Sequence, residues 1–485
     1  MLKVKHLLKV SLRLCSLLAL SYTANATENK NTSNQPNILF ILADDMGKEW
    51  VSAYGAEDIS TPNIDKLADK GIRFDNAWSH PQCTPSRVSL ITGQYPHRNG
   101  WVNHWDTPRW GQAYLDWSQN QSVAKVMKNA GYATVAAGKW QVNDFRVEPQ
   151  AMTKHGFDDY AMWTGYETGN EPSAERYWDP YIHTKKGSKT YKGQFGEDIF
   201  SDFILDFVDD NKAQPWFAYF AMNLPHSPYV TTPHSTKVES KMDKHKAMVE
   251  YADLILAKMV NRLEALDELE NTIIIWTTDN GTNRSIKGRM NGRMVRGGKT
   301  KTTENGINSP FIVSGQGLVP KGVVSDTLID FTDILPTFAD LANTDIPKHY
   351  TLDGKSFADY LLAKTTDGKR SSIMSMGGRN EARVSENGVE NKFVFRDRVI
   401  RDKRYKLYVK SSPEYGYEKL VDLHNDPEEK INLINSTKPE IVAAKKALIA
   451  FAKTQPAKDN DPKYRKRQAL EWDKPVTVTS QKWKQ

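Results

Sequence analysis

The chain has 485 residues, 39% of them hydrophobic and 26% charged, with a formal net charge of +7. These proportions exclude a disordered chain and a membrane bundle, and the length calls for two or three folding units at the usual size of roughly 100 to 200 residues. The basic residues are interspersed with acids along the chain, so the charge excess alone does not mark a nucleic-acid binder.

Lys3, Lys5, Lys9 and Arg13 precede an apolar run, and Ala24-Asn25-Ala26 supplies a small-x-small cleavage site. This pattern predicts a signal peptide over residues 1–26 and an exported protein, periplasmic or secreted. The uninterrupted apolar part falls short of the ~20 residues that span a bilayer, so no stable membrane anchor is expected. Cys15 follows Leu12-Arg13-Leu14, which lacks the small residues of a lipoprotein signal. Cleavage would remove the four basic residues and no acid, taking the formal charge from +7 to +3. Only two cysteines exist, so Cys83 would be the lone thiol of the mature protein, without a disulfide or a cysteine zinc site. A lone cysteine is ordinarily a small buried hydrophobe, and its neighbours decide the matter.

After the polar stretch Thr27 to Gln35, Asn37 to Ala43 reads as a strand buried on both faces that stops at Asp44-Asp45. Thr61-Pro62 opens a helix with Ile64, Leu67 and Ala68 on one stripe, ending at Gly71. Helices then follow at Ser122 to Ala130, Phe200 to Asp209 and His245 to Leu266, and strands at Ala133 to Ala137, Trp216 to Met222 and Thr272 to Thr278. Such alternation predicts an α/β layered domain over residues 27–345, with ligands at the carboxyl ends of its strands. Residues 143 to 196 interrupt the alternation with aromatic and Gly-rich sequence, read as an insertion that shapes a cleft. From residue 346 to 485, short alternating strands at Arg398 to Val409 and Glu418 to Leu423 and a helix at Pro439 to Lys453 predict a smaller α+β subdomain.

Asp44-Asp45 and Asp279-Asn280 each follow a predicted strand on what should be one edge of the sheet. Either pair alone reads equally well as a helix cap or a turn. Together they offer three carboxylates and an amide oxygen without imidazole or thiolate, a set suited to a hard cation, calcium or magnesium, over zinc.

The stretch CTPSRVSLITG from Cys83 to Gly93 resembles the signature of the type I sulfatases, Cys-x-Pro-Ser-Arg followed at a fixed distance by Thr-Gly. Further matches fall in that family's order: ILADDMG at 41–47, TPNIDKLADKGIRF at 61–74, GKW at 138–140, NLPHSP at 223–228, TTDNG at 277–281, RGGKTKTTENG at 296–306 and KLVDLHNDPEEKINL at 419–433. The resemblance covers nearly the whole mature chain. It implies the fold of the alkaline phosphatase superfamily, a layered α/β domain with a large, mostly parallel sheet plus the smaller C-terminal unit.

It also implies chemistry. Cys83 would be oxidised by a formylglycine-generating maturation enzyme, and the hydrated aldehyde would attack the sulfur of a sulfate ester. Asp44, Asp45, Asp279, Asn280 and one oxygen of the modified Cys83 would hold calcium, with magnesium as the alternative. Arg87, Lys139, His226 and Lys299 would surround the sulfate with positive charge and a proton donor, as charge build-up on the bridging oxygen requires. The expected function is hydrolysis of sulfate esters on a carbohydrate, a polysaccharide or its oligosaccharides. Trp101, Trp105, Trp110 and Trp117, then Trp163, Tyr166, Tyr177, Trp178 and Tyr181, are the aromatic candidates for stacking on sugars, at least half of them expected to be core anchors instead.

Two departures from the family pattern stand out. Gln141 occupies a position where the family usually has histidine, and a glutamine cannot take a proton at neutral pH; His80 and His104 are the candidate replacements. Asn305 and Asn308 stand near positions usually held by glycine and arginine, a change expected to alter only local loop contacts. Gln141, His80, His104 and Trp105 are therefore the candidate substrate-binding residues. The alternatives to a sulfatase are a phosphodiester or phosphonate monoester hydrolase of the same superfamily and a silent sulfated-glycan-binding protein. The sugar, the position of its sulfate and the oligomeric state cannot be read from the sequence.

Overall fold

The computed structural model describes residues 35–102, 113–167, 169–377, 383–385, 388–390, 397–410, 416–457, 464–466 and 470. From Pro36 onward the chain forms one compact unit. The predicted signal peptide, His104, Trp105 and Trp110 lie outside the described residues.

A ten-stranded sheet runs in the order Val323–Asp330, Gly71–Trp78, Phe311–Ser314, Thr272–Thr278, Asn37–Ala43, Trp216–Ala221, Ala133–Lys139, Asp159–Trp163, Tyr181–Thr184 and Gly187–Thr190. Asn37–Ala43 lies in the middle, parallel to Trp216–Ala221 and to Thr272–Thr278, with Ala43 opposite Thr278. Its alternate residues enter two different cores: Ile38, Phe40 and Leu42 pack on one face, Leu39, Ile41 and Ala43 on the other. An unbroken apolar strand follows directly from having helices on both faces.

Phe311–Ser314 runs antiparallel to both of its neighbours, which makes Gly71–Trp78 parallel to the central strands. Seven strands, with Val323–Asp330 and Asp159–Trp163 included, thus deliver their carboxyl ends to one edge. The segment 143 to 196, expected as a cleft-shaping insertion, adds three strands to the sheet, two of them an antiparallel hairpin at its border. Its rings are largely structural. Trp163 and Tyr177 are buried, and Trp178 donates its indole N–H to Thr231 O.

The C-terminal region forms an antiparallel sheet in the order Ile373–Met376, Arg398–Arg401, Tyr405–Val409, Tyr417–Asp422, backed by the Pro439–Thr454 helix. A buried ion cluster joins it to the main sheet. Glu304 takes Lys406 Nζ at 3.0 Å and Arg401 Nη1 at 3.0 Å, and Lys406 Nζ also reaches Glu429 Oε1 at 2.6 Å. Asn308 Oδ1 accepts from Lys48 Nζ, and its amide donates to Glu304 and to Asp75 O. The sequence departure around Asn305 and Asn308 therefore lies beside a long-range tie between two sheets, and Asn308 takes part in it directly. Burial alone would raise the Glu304 pKa, but Lys406 and Arg401 outweigh it and hold the carboxyl below its usual range.

Lys406→Met should leave Glu304 and Glu429 facing each other without their shared cation, at a cost of about 3 to 5 kcal/mol in urea unfolding. A change under about 1 kcal/mol would mean the cluster is not coupled to stability.

Candidate active site

The signature helix spans Cys83–Thr92 and is buried at every residue. Its entry is fixed by Ser86, whose Oγ accepts from His80 N and reaches His80 O and Gln82 O. It stops at Gly93, whose φ of +67° places it in the left-handed region that glycine occupies without strain. Cys83 and Arg87 are four residues apart, so they share a helix face. That face meets the strand ends.

Arg87 donates through Nε to Asp279 Oδ2 at 3.0 Å, and its Nη2 lies 2.8 Å from the same oxygen and 3.7 Å from Asp44 Oδ2. Lys139, at the end of its strand, sits 2.5 Å from Asp44 Oδ2. Gly138 before it has φ +97°, and a Cβ there would fall 1.9 Å from Ala221 O, so only glycine lets the two strands meet at this point. Lys299 Nζ lies 2.6 Å from Asp45 Oδ1 and 3.1 Å from His226 Nε2. Asp45 has φ +62°, a strained backbone at the tip of the central strand.

Three buried carboxylates, Asp44, Asp45 and Asp279, thus face three cations, Arg87, Lys139 and Lys299. Burial would raise Asp44, but Lys139, His226, Arg87 and Lys299 hold it well below the usual carboxylate range. Asp45 is likewise lowered, against burial, chiefly by Lys299 and His226. Burial, then the neighbouring Asp44 charge, pushes Asp279 up. Burial and then Lys299 depress His226 to about 3, against the opposing effect of Asp45 and Asp44.

Asp44 Oδ1 and Asn280 Oδ1 are buried and take no hydrogen bond, although Asn280 Nδ2 donates to Asp45 Oδ1 at 2.7 Å. Orphaned oxygens among crowded carboxylates fit a hard cation, as the strand-end pairs suggested. Asp44, Asp45 and His226 also bring potential ligand atoms within 4.8 Å of one another.

His226 sits in a loop with cis bonds at Leu224-Pro225 and Ser227-Pro228. Arg176 Nη2 lies 3.0 Å from its Nδ1, the Tyr177 hydroxyl reaches both Asn223 O and His226 O, and Glu197 accepts from Asn223 N. Sequence reasoning did not single out Arg176 or Glu197, because nothing in a linear pattern links them to a loop 50 or 26 residues away.

The structure brings Arg87, Lys139, His226, Lys299, Asp44, Asp45, Asp279 and Asn280 together at one sheet edge, with Cys83 on the helix face that carries Arg87. Gln141 is buried beside Gly165 with φ +75°. His80 accepts from Met376 N through Nδ1 and pairs with Ser89 Oγ through Nε2, so both of its nitrogens are engaged within the core.

The sulfatase family profile matches residues 36–344, and the C-terminal profile of N-sulphoglucosamine sulphohydrolase matches residues 298–453. The chain is 30% identical over 365 residues to an arylsulfatase of Hemicentrotus pulcherrimus, a match covering 71% of this chain and 65% of that protein, just under two thirds of its length. It is 27% identical over 501 residues to N-acetylgalactosamine-6-O-sulfatase of Bacteroides thetaiotaomicron, covering 88% and 95% of the two chains. The crystal structure of Ps i-CgsB in complex with k-i-k-neocarrahexaose matches with a TM-score of 0.73 at 25% identity, over 93% of this chain and 97% of that one. With a family profile spanning most of the described sheet and its strand-end site, the chain belongs to the sulfatase family.

Proposed function

We propose that this chain hydrolyses sulfate esters on a carbohydrate, with Cys83 in its formylglycine form as nucleophile and calcium held by Asp44, Asp45, Asp279 and Asn280. The observation that carries the reading is the buried set of three carboxylates and three cations beside the Cys83 helix face. Such a set is close to neutral by itself, so it can take a dication and an anionic ester together without leaving a large uncompensated charge. The relative of Bacteroides thetaiotaomicron is named for a sulfated amino sugar, and the Ps i-CgsB structure holds a neocarrahexaose. Both names support a sulfated glycan as the substrate.

A formylglycine hydrate carries two hydroxyls on one carbon, so it supplies both an attacking oxygen and a way to expel sulfate without a second attack at sulfur. A hard dication lowers the cost of ionising that attacking hydroxyl. Arg87 presents a rigid fork to sulfate oxygens while its Nε stays on Asp279. Lys139 and Lys299 add compact charges that oppose the build-up of negative charge in the transition state. His226, oriented by Arg176 and Tyr177, turns Nε2 toward Lys299 and Asp45, where the negative charge of a bound sulfate ester would favour the protonated ring that donates to the departing alcohol. Gln141 can orient a hydroxyl but cannot serve as a base, so release of the second hydroxyl proton falls to another group or to water.

Activity should appear on aryl sulfates and, more selectively, on one member of a panel of defined sulfated oligosaccharides; a preference for aryl phosphodiesters would replace the sulfatase reading. Host-processed protein should show the Cys83 peptide lighter by about 18 Da than its thiol form, and Cys83→Ser should abolish turnover with the fold retained. Full activity in that variant would remove Cys83 as the nucleophile.

His226→Ala should slow sugar sulfates far more than aryl sulfates whose leaving groups need no proton. Equal losses on both would rule out its role as the acid. Protein stripped with EDTA should melt higher when calcium is restored, with a stabilisation of roughly 2.7 kcal/mol at one hundred times Kd, and Asn280→Ala should cancel most of that gain. No thermal response to calcium or magnesium would dismiss the metal site.

A further inference from the structure

Between Asn280 and Thr303 the sequence contains no aspartate or glutamate. In the same stretch stand Arg284, Lys287, Arg289, Arg293, Arg296 and Lys301, besides Lys299 of the candidate active site. The even mixing of charges along the whole chain conceals this stretch. Most of it folds into a two-stranded antiparallel ribbon, Lys287–Met290 paired with Arg293–Arg296.

The register is informative. Lys287 stands opposite Arg296 and Arg289 opposite Met294. Directly opposed residues share a face, and side chains alternate along a strand, so Lys287, Arg289, Arg296 and Met294 all lie on one face. All four are exposed, Met294 at 58%. The other face is turned inward, where a Cβ on Gly288 would meet Trp50 and the Glu49 carbonyl. Like charges directly opposite each other destabilise a strand pair, so the Lys287–Arg296 pairing does not serve the ribbon's own stability.

Close carboxylates are scarce around these cations, and Arg296 Nε donates to the Arg284 carbonyl at 2.8 Å. Among the described residues no carboxylate lies within 4.0 Å of Arg284, Lys287, Arg293, Arg296 or Lys301, and Arg289 has only Glu57, at 3.9 Å and well exposed. Several surface cations elsewhere are paired, as Lys403 is with Asp326, Arg404 with Asp422 and Lys410 with Glu418.

The ribbon is held firmly by its backbone. Arg289 N donates to Asp58 Oδ2, Glu57 N to Arg289 O, and Asn291 N to Gly55 O. Its two stems belong to the active site: Asn280 begins the outward path, Lys299 ends the return, and Lys299 N donates to Thr282 O. Arg296 is three residues from Lys299, a span of at most ~11 Å of extended chain. That is comparable to the Debye length of about 8 to 10 Å at moderate salt, so the ribbon's field reaches the site entrance.

We propose that the exposed face of the 287–296 ribbon is an accessory binding site for a polyanionic saccharide, the stretch of sulfated substrate chain that lies outside the catalytic pocket. This rests on the sulfatase reading above for the identity of the chain, while the anion site itself rests on the ribbon alone. Positive charge gathered on one fixed face, continuous with the catalytic cations and ringed about a single exposed methionine, suits repeated sulfates along a sugar backbone. It also favours a polymer over a lone sulfated sugar, because only a polymer can reach the ribbon and the pocket together.

The test compares the full mature protein with the triple variant Lys287→Gln, Arg289→Gln, Arg296→Gln. Affinity is measured for dextran sulfate, for neutral dextran and for phosphatidylglycerol vesicles over a range of NaCl concentrations, and turnover is measured on p-nitrophenyl sulfate. Wild type should bind dextran sulfate with an affinity that falls as salt rises, and should ignore neutral dextran. The variant should lose roughly tenfold or more in that affinity and show a shallower salt dependence, while its kcat/KM on the aryl sulfate stays within about twofold. Its melting temperature should hold or rise, since the like-charge pair is gone.

Equal dextran sulfate affinity in the two proteins would overturn the proposal, and so would a loss confined to the vesicles, which would make the ribbon a membrane-facing element. Wild type that is inert on every sulfate ester, yet binds dextran sulfate through the ribbon, would keep the anion site and remove the sulfatase reading. An active wild type whose polymer binding ignores the ribbon would do the reverse.

Discussion

Three carboxylates buried side by side are the constraint on which the rest of this structure depends. Asp44, Asp45 and Asp279 are each almost wholly removed from water, and two of them are adjacent in sequence. Their mutual repulsion in a medium of low dielectric would unfold the sheet edge if nothing opposed it. Arg87, Lys139 and Lys299 oppose it, each arriving from a different part of the chain. The order of strands explains how that is done. Parallel strands place their carboxyl ends on one edge, so segments as far apart as Asp45 and Asn280, 235 residues, meet without a long loop to carry them.

Outside this charged centre, a layer of uncharged and aromatic contacts sets its geometry. Gly138 allows the Lys139 strand to press against Ala221, and Ser86 ties down the entry to the signature helix. Arg176 stacks 4.5 Å over the Trp163 ring while its guanidinium meets His226. His80 fastens the signature helix to the C-terminal sheet through Ser89 and Met376. The C-terminal unit thus closes against the site's own scaffold, and the ion cluster at Glu304 holds it there.

Much of this could be read in the sequence, for identifiable reasons. The continuous apolar runs at 37–43 and 272–278 announce strands buried on both faces, and the acids that follow them announce the edge where ligands gather. The Cys83 to Gly93 stretch locates a helix and the cation one turn along it. Other parts left no linear trace. The strands Phe311–Ser314 and Val323–Asp330 are short or broken by a bulge, so their period is weak. The aromatics of 143 to 196 look like a sugar platform in sequence, but several of them fill the core, because ring content does not tell which face of a strand a residue occupies. The supports of His226 come from Arg176, Tyr177 and Glu197, and only the three-dimensional path of the chain brings them to it. Charge balance averaged over the whole chain hid the acid-free ribbon for a related reason: position decides what charges can do, and an average discards position.

The placement of Cys83 also bears on the order of events in the life of the chain. The residue is 3% exposed, on a helix buried along its entire length and linked through His80 to the C-terminal sheet. Once those layers have docked, the sulfur presents almost no surface to a second protein. An enzyme that altered it would meet the segment more readily before the surrounding layers collapse onto it. Were Cys83 converted as proposed, faster folding would lower the fraction of molecules altered there, a form of selection acting on folding rate and not on stability.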